Sequence, residues 1–368
     1  MISRGNNSLS DFSLIAIIVV GTTGANIFYL PRIAAEQAGR DAWISIALAV
    51  LPACFIAGLI YLLCRRFPNR ILPGFSVLIL GKPLGVLVSL VYIVYTLSLC
   101  AITLRLFIEL AKTWTMFWTP QWFFIVFLLI PVAYTTLQGV APLGRLMEIT
   151  LLILLLTVPL VILPAFHQFE PVQIRPVGQE GLLVIGRAIG AIAFPYLGFE
   201  VLLVFFPMFA GGKNILRLYL IGLIAVAVLF TGSALLTYTV MGIEYVRVQI
   251  WPLMEFLSLG RLPVLERIDN LFLFLWAFKI IGLITVQYYA ATATAAGLTG
   301  QKYYSLWALL LLPVLYTITT FIGSQVTVFD LAFQFGLWGA VFITVLVLLL
   351  LLVAVIRGLD ERKGMRKP

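Results

Sequence analysis

Long apolar stretches separated by short polar connections run through almost the whole chain. A helix needs about 17–25 apolar residues to cross roughly 30 Å of hydrocarbon, because each residue rises about 1.5 Å. The pattern therefore predicts ten transmembrane helices, numbered here as segments 1 to 10. These segments lie at about 12–31, 41–63, 83–111, 121–138, 147–166, 182–210, 217–241, 271–298, 305–321 and 329–356.

Two of these segments are interrupted by residues that break helices. Segment 1 contains GTTGANIFYLP at residues 21–31, and segment 6 contains AFPYLGFE at residues 193–200. Unwound backbone is tolerated at membrane depth only where protein or a watery cavity satisfies its polar groups. Ten segments divide into two sets of five, and because five is odd, the second set crosses the membrane in the opposite sense. The sequence therefore predicts an all-α membrane protein with a 5+5 inverted repeat and discontinuous helices 1 and 6.

A broken helix offers two kinds of backbone end to a ligand. The half-helix that begins near Ala25 presents free N–H groups and a positive dipole end, which favour an anion such as a carboxylate. The C-terminal ends of the first half-helices present carbonyls, which favour an ammonium group or a cation. The two together predict a site for a zwitterion such as an amino acid. The alternative is that Gly21 and Gly24 only permit close packing of helices.

Two charged residues lie at membrane depth near these breaks. Glu200 follows the second break, where an ionised carboxylate costs about 2.5 kcal/mol or more unless it is paired, protonated or facing a cavity. We interpret it as a ligand contact or as a proton acceptor that couples ligand binding to conformation. The alternative is a structural ion pair with Lys279 of segment 8. Arg105 and Glu109 of segment 3 are spaced to pair with each other, either as structure or as part of a gate.

Composition and charge agree with a membrane protein. The chain has 62% hydrophobic and 11% charged residues, whereas a soluble chain carries about 25% charged residues. Fourteen of its lysines and arginines fall on the side of the termini, seven on the other side and three within segments. This bias predicts that both termini are cytoplasmic, and it explains the net charge of +9 without nucleic acid.

The residues needed for catalysis or metal binding are scarce. Cys54, Cys64 and Cys100 lie in or beside apolar stretches, and His167 is the single histidine. These features predict no disulfide framework and no Cys/His metal site. The chain also lacks a phosphate-binding loop and a zinc-protease motif. We therefore expect neither an enzyme nor a cofactor.

The predicted domain plan follows from the segments. Its parts are an N-terminal lead at 1–11, a first repeat at 12–166, an outer loop at 167–181, a second repeat at 182–356 and a basic cytoplasmic tail at 357–368. The connection 242–270 mixes apolar and charged residues, which predicts short amphipathic helices at the membrane interface. It is either an outer lid or a docking face for another subunit.

The chain resembles the B subunits of bacterial endospore germinant receptors, the GerAB-type germination permeases of the amino acid–polyamine–organocation superfamily. The resemblance covers about residues 8–360. It rests on the size, the ten-segment plan, the lead ending in SLSDF, the two breaks, and the stretch WPLMEF…LERIDNLFLFLWAF before segment 8.

The resemblance implies that a ligand is held between the unwound parts of helices 1 and 6 and the faces of helices 3 and 8. The candidate ligand-binding residues are then Gly21, Thr22, Thr23, Gly24, Asn26, Tyr95, Pro195, Tyr196, Gly198, Glu200 and Tyr288. It also implies a subunit that senses a small germinant, commonly an amino acid, in the inner spore membrane. Its expected partners are an A-type subunit and a lipoprotein C-type subunit. The alternative is an amino acid permease coupled to protons or Na⁺, which would use the same site.

Overall fold

The computed structural model of the protein describes residues 9–162, 168–209, 214–260 and 267–361, and every regular element within these ranges is helical. His167, part of the connection 242–270 and most of the basic tail lie outside the described residues. The α-helices are α1 (Asp11–Thr22), α2 (Leu30–Ala38), α3 (Ala42–Leu48), α4 (Val50–Arg66), α5 (Leu72–Leu80), α6 (Lys82–Trp114), α7 (Gln121–Gln138), α8 (Val140–Ile162), α9 (Leu182–Ala191), α10 (Leu202–Phe205), α11 (Ile215–Met241), α12 (Ile243–Val248), α13 (Pro252–Ser258), α14 (Ile268–Thr299), α15 (Tyr304–Phe321) and α16 (Gln325–Ile356).

The helices account for the predicted membrane spans. Within the described ranges, eight helical stretches are long and apolar enough to cross a membrane, and a ninth is the bent pair formed by α9 and residues Phe194–Phe209. The apolar helix α1 has 12 residues. Segment 1 does not end at Pro31 as predicted, because α2 continues to Ala38. Pro31 stands in the first turn of α2, where a helix tolerates the missing N–H of proline. The protein is thus a multi-pass, all-α membrane protein.

The most buried of the long helices are α6 and α14, with 33 and 32 residues. They pack against each other, and α1 packs against α8, α11 and α14. The helices α6 and α14 are each the third span of their half of the chain. The short helix α5 lies just before α6, and the short helices α12 and α13 lie just before α14. These extra helices thus occupy matching positions in the two halves, and five intervening crossings put them on opposite faces, as an inverted repeat requires.

Polar contacts identify the two faces of the molecule. One face, called the termini face here, carries the residues near both ends of the described chain. There the Leu9 N–H donates to the Met208 carbonyl (3.2 Å), and Arg70 forms an ion pair with Glu361. On the opposite face, the carboxylate of Asp41 accepts hydrogen bonds from the backbone N–H groups of Gly178 and Glu180 (2.7 and 2.8 Å). This last contact ties the connection between the two halves to the turn between α2 and α3.

A glycine in α6 sets the packing of α5. A Cβ atom at Gly85 would lie 2.4 Å from the Cα of Val77, so the two backbones approach more closely than any side chain allows. By contrast, a Cβ at Gly58 in α4 would meet nothing within 4 Å. The pairing of α5 with α6 therefore depends on glycine at position 85.

We expect Gly85→Ala to lower the thermal unfolding midpoint of the detergent-solubilised protein, since overpacking of this kind costs about 1–3 kcal/mol. Gly58→Ala is the matched control and should leave the midpoint unchanged or raise it, because alanine favours a helix by up to about 1 kcal/mol over glycine. Equal midpoints for the two variants would contradict the close contact.

Candidate binding site at the two helix breaks

The first break lies between α1 and the 3-10 turn Ala25–Phe28. The N–H and the Oγ1 of Thr23 both donate to the carbonyl of Val19 (3.1 and 2.8 Å), which closes the last turn of α1. Gly24 is then extended, with φ −109° and ψ −163°. The predicted discontinuity of helix 1 is confirmed.

The second break lies between α9 and α10. The chain forms a 3-10 turn at Phe194–Tyr196, becomes extended at Leu197, and reverses at Gly198, whose φ is +117°. Few residues with a Cβ adopt this backbone angle. The helical pieces on the two sides are bent by 63°. The predicted discontinuity of helix 6 is also confirmed.

The two breaks touch each other. A Cβ built on Gly198 would lie 2.2 Å from the carbonyl oxygen of Gly21, so the backbones meet with no side chain between them. The amide Nε2 of Gln287 on α14 donates to the carbonyl of Gly198 (3.1 Å). A Cβ on Gly21 would also contact the side chain of Val286. The junction of the two breaks is therefore held against one face of α14.

Both breaks are closed by the same kind of hydrogen bond. The N–H of Gly24 donates to Oδ1 of Asn26 (3.0 Å), and the N–H of Gly198 donates to Oε2 of Glu200 (2.8 Å). In each case the acceptor side chain comes two residues after the glycine. These two N–H groups are thus occupied by side chains of the protein itself. The signals that sequence reasoning missed are the patterns Gly-Ala-Asn and Gly-Phe-Glu, because a short polar side chain readily bonds the nearby backbone.

Glu200 is fully buried and bonded on both oxygens. Its Oε1 accepts from the hydroxyl of Tyr95 on α6 (2.9 Å), so it links the second break to α6 as well as to Gly198. The hydroxyl of Tyr219 on α11 donates to the neighbouring carbonyl of Phe199 (2.9 Å). Sequence reasoning did not identify Tyr219 or Gln287 as parts of this junction.

The alternative of an ion pair between Glu200 and Lys279 is wrong. Among the described residues, Glu200 takes part in no salt bridge, and the Nζ of Lys279 has no hydrogen-bond partner. The Lys279 ammonium instead lies 5.5 Å from the centre of the Trp276 ring. The carboxylate instead accepts hydrogen bonds from donors within its own break and on α6.

The other candidate residues lie in different surroundings. Thr22, Thr23 and Asn26 are buried at the first break, and Oγ1 of Thr22 has no partner among the described residues. The hydroxyl groups of Tyr196 and Tyr288 are used elsewhere: they donate to the carbonyls of Ile46 and Ala308, at 2.6 and 2.7 Å. Pro195 lines a cavity of about 20 Å³ beside Tyr29 and Phe329, which is room for about one water molecule.

Aromatic side chains close the junction toward the opposite face. Tyr29, Trp251 and Phe329 contact one another, with ring centres 5.0 to 6.1 Å apart. Farther out, Arg105 pairs with Glu109, as their spacing predicts. Its guanidinium also donates to the carbonyls of Ile322 and Gly323, which lie in the connection between α15 and α16. On this side, ring contacts therefore join Tyr29 to Trp251 and Phe329, and Arg105 joins α6 to the connection before α16.

A larger cavity of about 330 Å³ lies between α4, α9 and α16. Its lining is almost entirely apolar, and it includes Ile56, Leu197 and Val341. A zwitterion needs hydrogen-bond partners for both charged ends. This cavity is therefore a poor match for an amino acid, and the junction of the breaks is the better candidate site.

Two helices broken at mid-membrane and joined at one junction are typical of secondary transporters. The fold agrees: it resembles a solved nucleobase-cation-symport-1 family transporter, Mhp1, in a closed conformation with bromovinylhydantoin bound. The TM-score is 0.60 over 90% of this chain and 78% of the transporter, with 12% sequence identity. The chain is thus a membrane protein with a transporter-like fold, in which two broken helices meet at one junction.

The particular family is shown by the sequence. A family model described as "Spore germination protein" matches residues 8–328, and the chain belongs to this family of spore germination permeases. It is 26% identical to the spore germination protein YndE of Bacillus subtilis (strain 168), over 86% of this chain and 87% of the relative. It is 21% identical to GerQB of Bacillus cereus, over 74% and 75% of the two chains.

We expect Gly198→Ala to be strongly destabilising, because the added Cβ meets the Gly21 carbonyl and the backbone angle is unfavourable. Strain and overpacking of this kind each cost about 1–3 kcal/mol. Gly232→Ala is the control, since a Cβ there meets nothing within 4 Å. Thermal unfolding of the purified variants measures the difference. A Gly198→Ala protein as stable as the control would show that the two breaks do not meet as described.

Proposed function

We propose that the chain binds a small amino-acid-like ligand at the junction of the two breaks and is the germinant-sensing subunit that helps to trigger spore germination. The observation that carries the proposal is the pair of side-chain bonds to the N–H groups of Gly24 and Gly198. A ligand carboxylate makes charge-assisted hydrogen bonds, so it can replace the neutral amide oxygen of Asn26 at the N–H group of Gly24. The carboxylate of Glu200 and the carbonyl end of α1 favour the ligand ammonium group.

The same exchange supplies a signal. Glu200 joins the second break to Tyr95 on α6, so moving the Glu200 carboxylate toward a ligand breaks a contact between the two halves. Ligand binding then shifts the protein toward a conformation with a different packing of α6 against the break, because a ligand favours the state that it binds more tightly. The proposed site comprises Gly21, Thr22, Thr23, Gly24, Asn26, Tyr95, Gly198 and Glu200, with Pro195, Tyr196 and Tyr288 in supporting positions.

The proposed setting follows from the family and the charge distribution. The chain would lie in the inner spore membrane with both termini in the cytoplasm, in a complex with an A-type subunit and a lipoprotein C-type subunit. The excess of lysine and arginine on the termini face supports this orientation. The similarity to named germination proteins supports the role in spores.

The transporter-type fold favours one alternative, an amino acid permease coupled to protons or Na⁺. The two functions differ in what the protein does alone. A permease accumulates its ligand inside sealed vesicles, whereas a sensor binds the ligand without net movement. The residues of the junction serve both functions equally, so only a flux measurement separates them.

We expect proteoliposomes that contain only this protein to retain labelled ligand from an amino acid panel without accumulating it. Vesicles opened with detergent measure the ligand that is bound rather than transported, and protein-free vesicles give the background. If labelled ligand accumulates only inside sealed vesicles, the protein is a permease and the sensor proposal is wrong. Absence of both binding and uptake across the panel would count against an amino acid ligand for the isolated subunit.

We expect Gly24→Leu to abolish ligand binding, because a Cβ at this position already lies 3.3 Å from the amide of Asn26 and a leucine fills the break. Gly186→Leu is the matched control, since its Cβ meets nothing within 4 Å. Both variants should insert into membranes. Unchanged affinity in Gly24→Leu would remove the first break from the site.

A further inference from the structure

The cavity between α4, α9 and α16 exists because small residues line all three of its walls. These residues are Ala49 and Ala53 at the start of α4, Gly190 and Ala193 at the end of α9, and Ala340 in α16. Protein interiors are normally close-packed, with few voids larger than a water molecule. A cavity of about 330 Å³ is therefore a feature that needs an occupant or another explanation.

The cavity lies at mid-membrane and is open toward the lateral surface of the protein. Ala53 stands near the middle of predicted segment 2, and Val341 stands near the middle of α16. The α16 residues of its lining, Leu337, Val341 and Val345, are 41, 44 and 56% exposed, so the described residues leave this side uncovered. At this depth the lateral surface of a membrane protein faces the hydrocarbon of the bilayer.

The lining favours hydrocarbon over water or a polar molecule. Its two described hydroxyl side chains already have acceptors: Tyr196 donates to the carbonyl of Ile46 (2.6 Å), and Thr344 donates to the carbonyl of Ala340 (2.7 Å). A buried water molecule needs about two to four polar partners, whereas an apolar cavity of about 150 Å³ stays dry and binds benzene. The cavity therefore suits an apolar group of some length.

The deepest part of the cavity is formed by residues that the lateral surface does not expose. Leu197, Phe199 and Ile343, called the cavity floor here, line the cavity and are only 5, 2 and 1% exposed. Two of the three belong to the second break, since Leu197 is its extended residue and Phe199 follows Gly198. A group that fills the cavity thus rests against the second break.

Leu197 connects the cavity with the residues that hold Glu200. A Cβ built on Gly339 of α16 would lie 3.1 Å from Cδ1 of Leu197 and 3.1 Å from Cε2 of Tyr95. The hydroxyl of Tyr95 in turn donates to Glu200. Leu197 and Tyr95 therefore pack against the same position of α16, so the packing in the cavity bears on the support of the break.

We propose that the cavity binds the hydrocarbon chain of a membrane lipid, which enters from the bilayer beside α16 and supports the second break. A transmembrane helix is about 10–12 Å wide, so a partner helix can cover the opening but cannot enter it. A lipid chain is narrow enough to enter, and it is present at this depth on every side of the protein. The site recognises the chain rather than the headgroup, because it lies at mid-membrane. The inference does not depend on which small ligand the protein binds.

Photolabelling of the full chain tests whether a lipid chain enters. The protein is reconstituted into vesicles of phosphatidylcholine that include a small fraction of phosphatidylcholine with a diazirine at the middle of one acyl chain. After irradiation, mass spectrometry locates the labelled residues. The proteins are the wild type, Ala53→Phe, Ala340→Leu and Gly58→Phe. The first two substitutions fill the cavity from different walls, and Gly58→Phe is the matched control on α4, since a Cβ there meets nothing within 4 Å.

We expect the cavity floor to be labelled in the wild type and in Gly58→Phe. Ala53→Phe and Ala340→Leu should lower this labelling about fivefold or more, because their side chains occupy the space of the lipid chain. Labelling of Leu156, an exposed residue of α8, should be the same in all four proteins. Phosphatidylglycerol with the same labelled chain should label the floor equally well, and a diazirine on the headgroup should not label it.

Thermal unfolding in detergent measures the support of the second break. Adding phosphatidylcholine should raise the midpoint of the wild type and of Gly58→Phe by about 3 °C or more. The two variants with a filled cavity should respond less, since the lipid chain has no space to bind. An equal rise in all four proteins would be a general effect of lipid and would contradict the support of the break.

Three labelling results would overturn the proposal. The first is a wild type that is labelled at Leu156 but not at the cavity floor, which means that no lipid chain enters. This result decides the question even if a variant fails to fold. The second is unchanged labelling of the floor in both folded variants with a filled cavity. The third is labelling with only one of the two headgroups, which means that the protein recognises the headgroup instead of the chain.

Discussion

The contact between the backbones of Gly21 and Gly198 is the constraint on which the rest of the structure depends. Two interrupted helices from opposite halves meet there with no side chain between them, which only glycine permits. The meeting point has to be supported from outside, because neither break has a continuous helix to hold it. Gln287 on α14 and Tyr95 on α6 provide that support through Gly198 and Glu200. The two most buried of the long helices thus serve as the frame for the junction.

The junction satisfies most of its own polar groups, and the proposed exchange of hydrogen bonds with a ligand depends on this. Each broken helix uses a side chain of its own to satisfy a glycine N–H, so these N–H groups have partners without a ligand. A neutral bond of the Asn26 kind contributes about 0.5–1.5 kcal/mol net, somewhat less than a bond to a charged ligand group. A site of this kind exchanges partners at small net cost, whereas a site with unsatisfied groups would be unstable when empty. At the end of α1, the hydroxyl of Thr22 is a polar group that still lacks a partner among the described residues.

The fold was predictable because the signals that define it are local. Apolar length marks the spans, and glycine or proline at membrane depth marks the breaks, so the discontinuous helices followed directly from residues 21–31 and 193–200. The partners of individual side chains were not predictable. Glu200 prefers an N–H two residues away and the Tyr95 hydroxyl to the distant Lys279, and Tyr288 turns its hydroxyl to α15. Those choices depend on helix rotation, which the sequence does not specify.

The connection between the two halves has a role beyond joining them. The carboxylate of Asp41 accepts hydrogen bonds from the N–H groups of Gly178 and Glu180. These bonds fix the segment that precedes α9 to the turn that follows α2. Both helices lead to a break, and both pack against each other. Any tilt of α9 on the opposite face must therefore carry α2 with it. The outer parts of the two broken helices form one mechanical unit, and under the proposed function the site would open toward that face by a movement of this unit against α6 and α16.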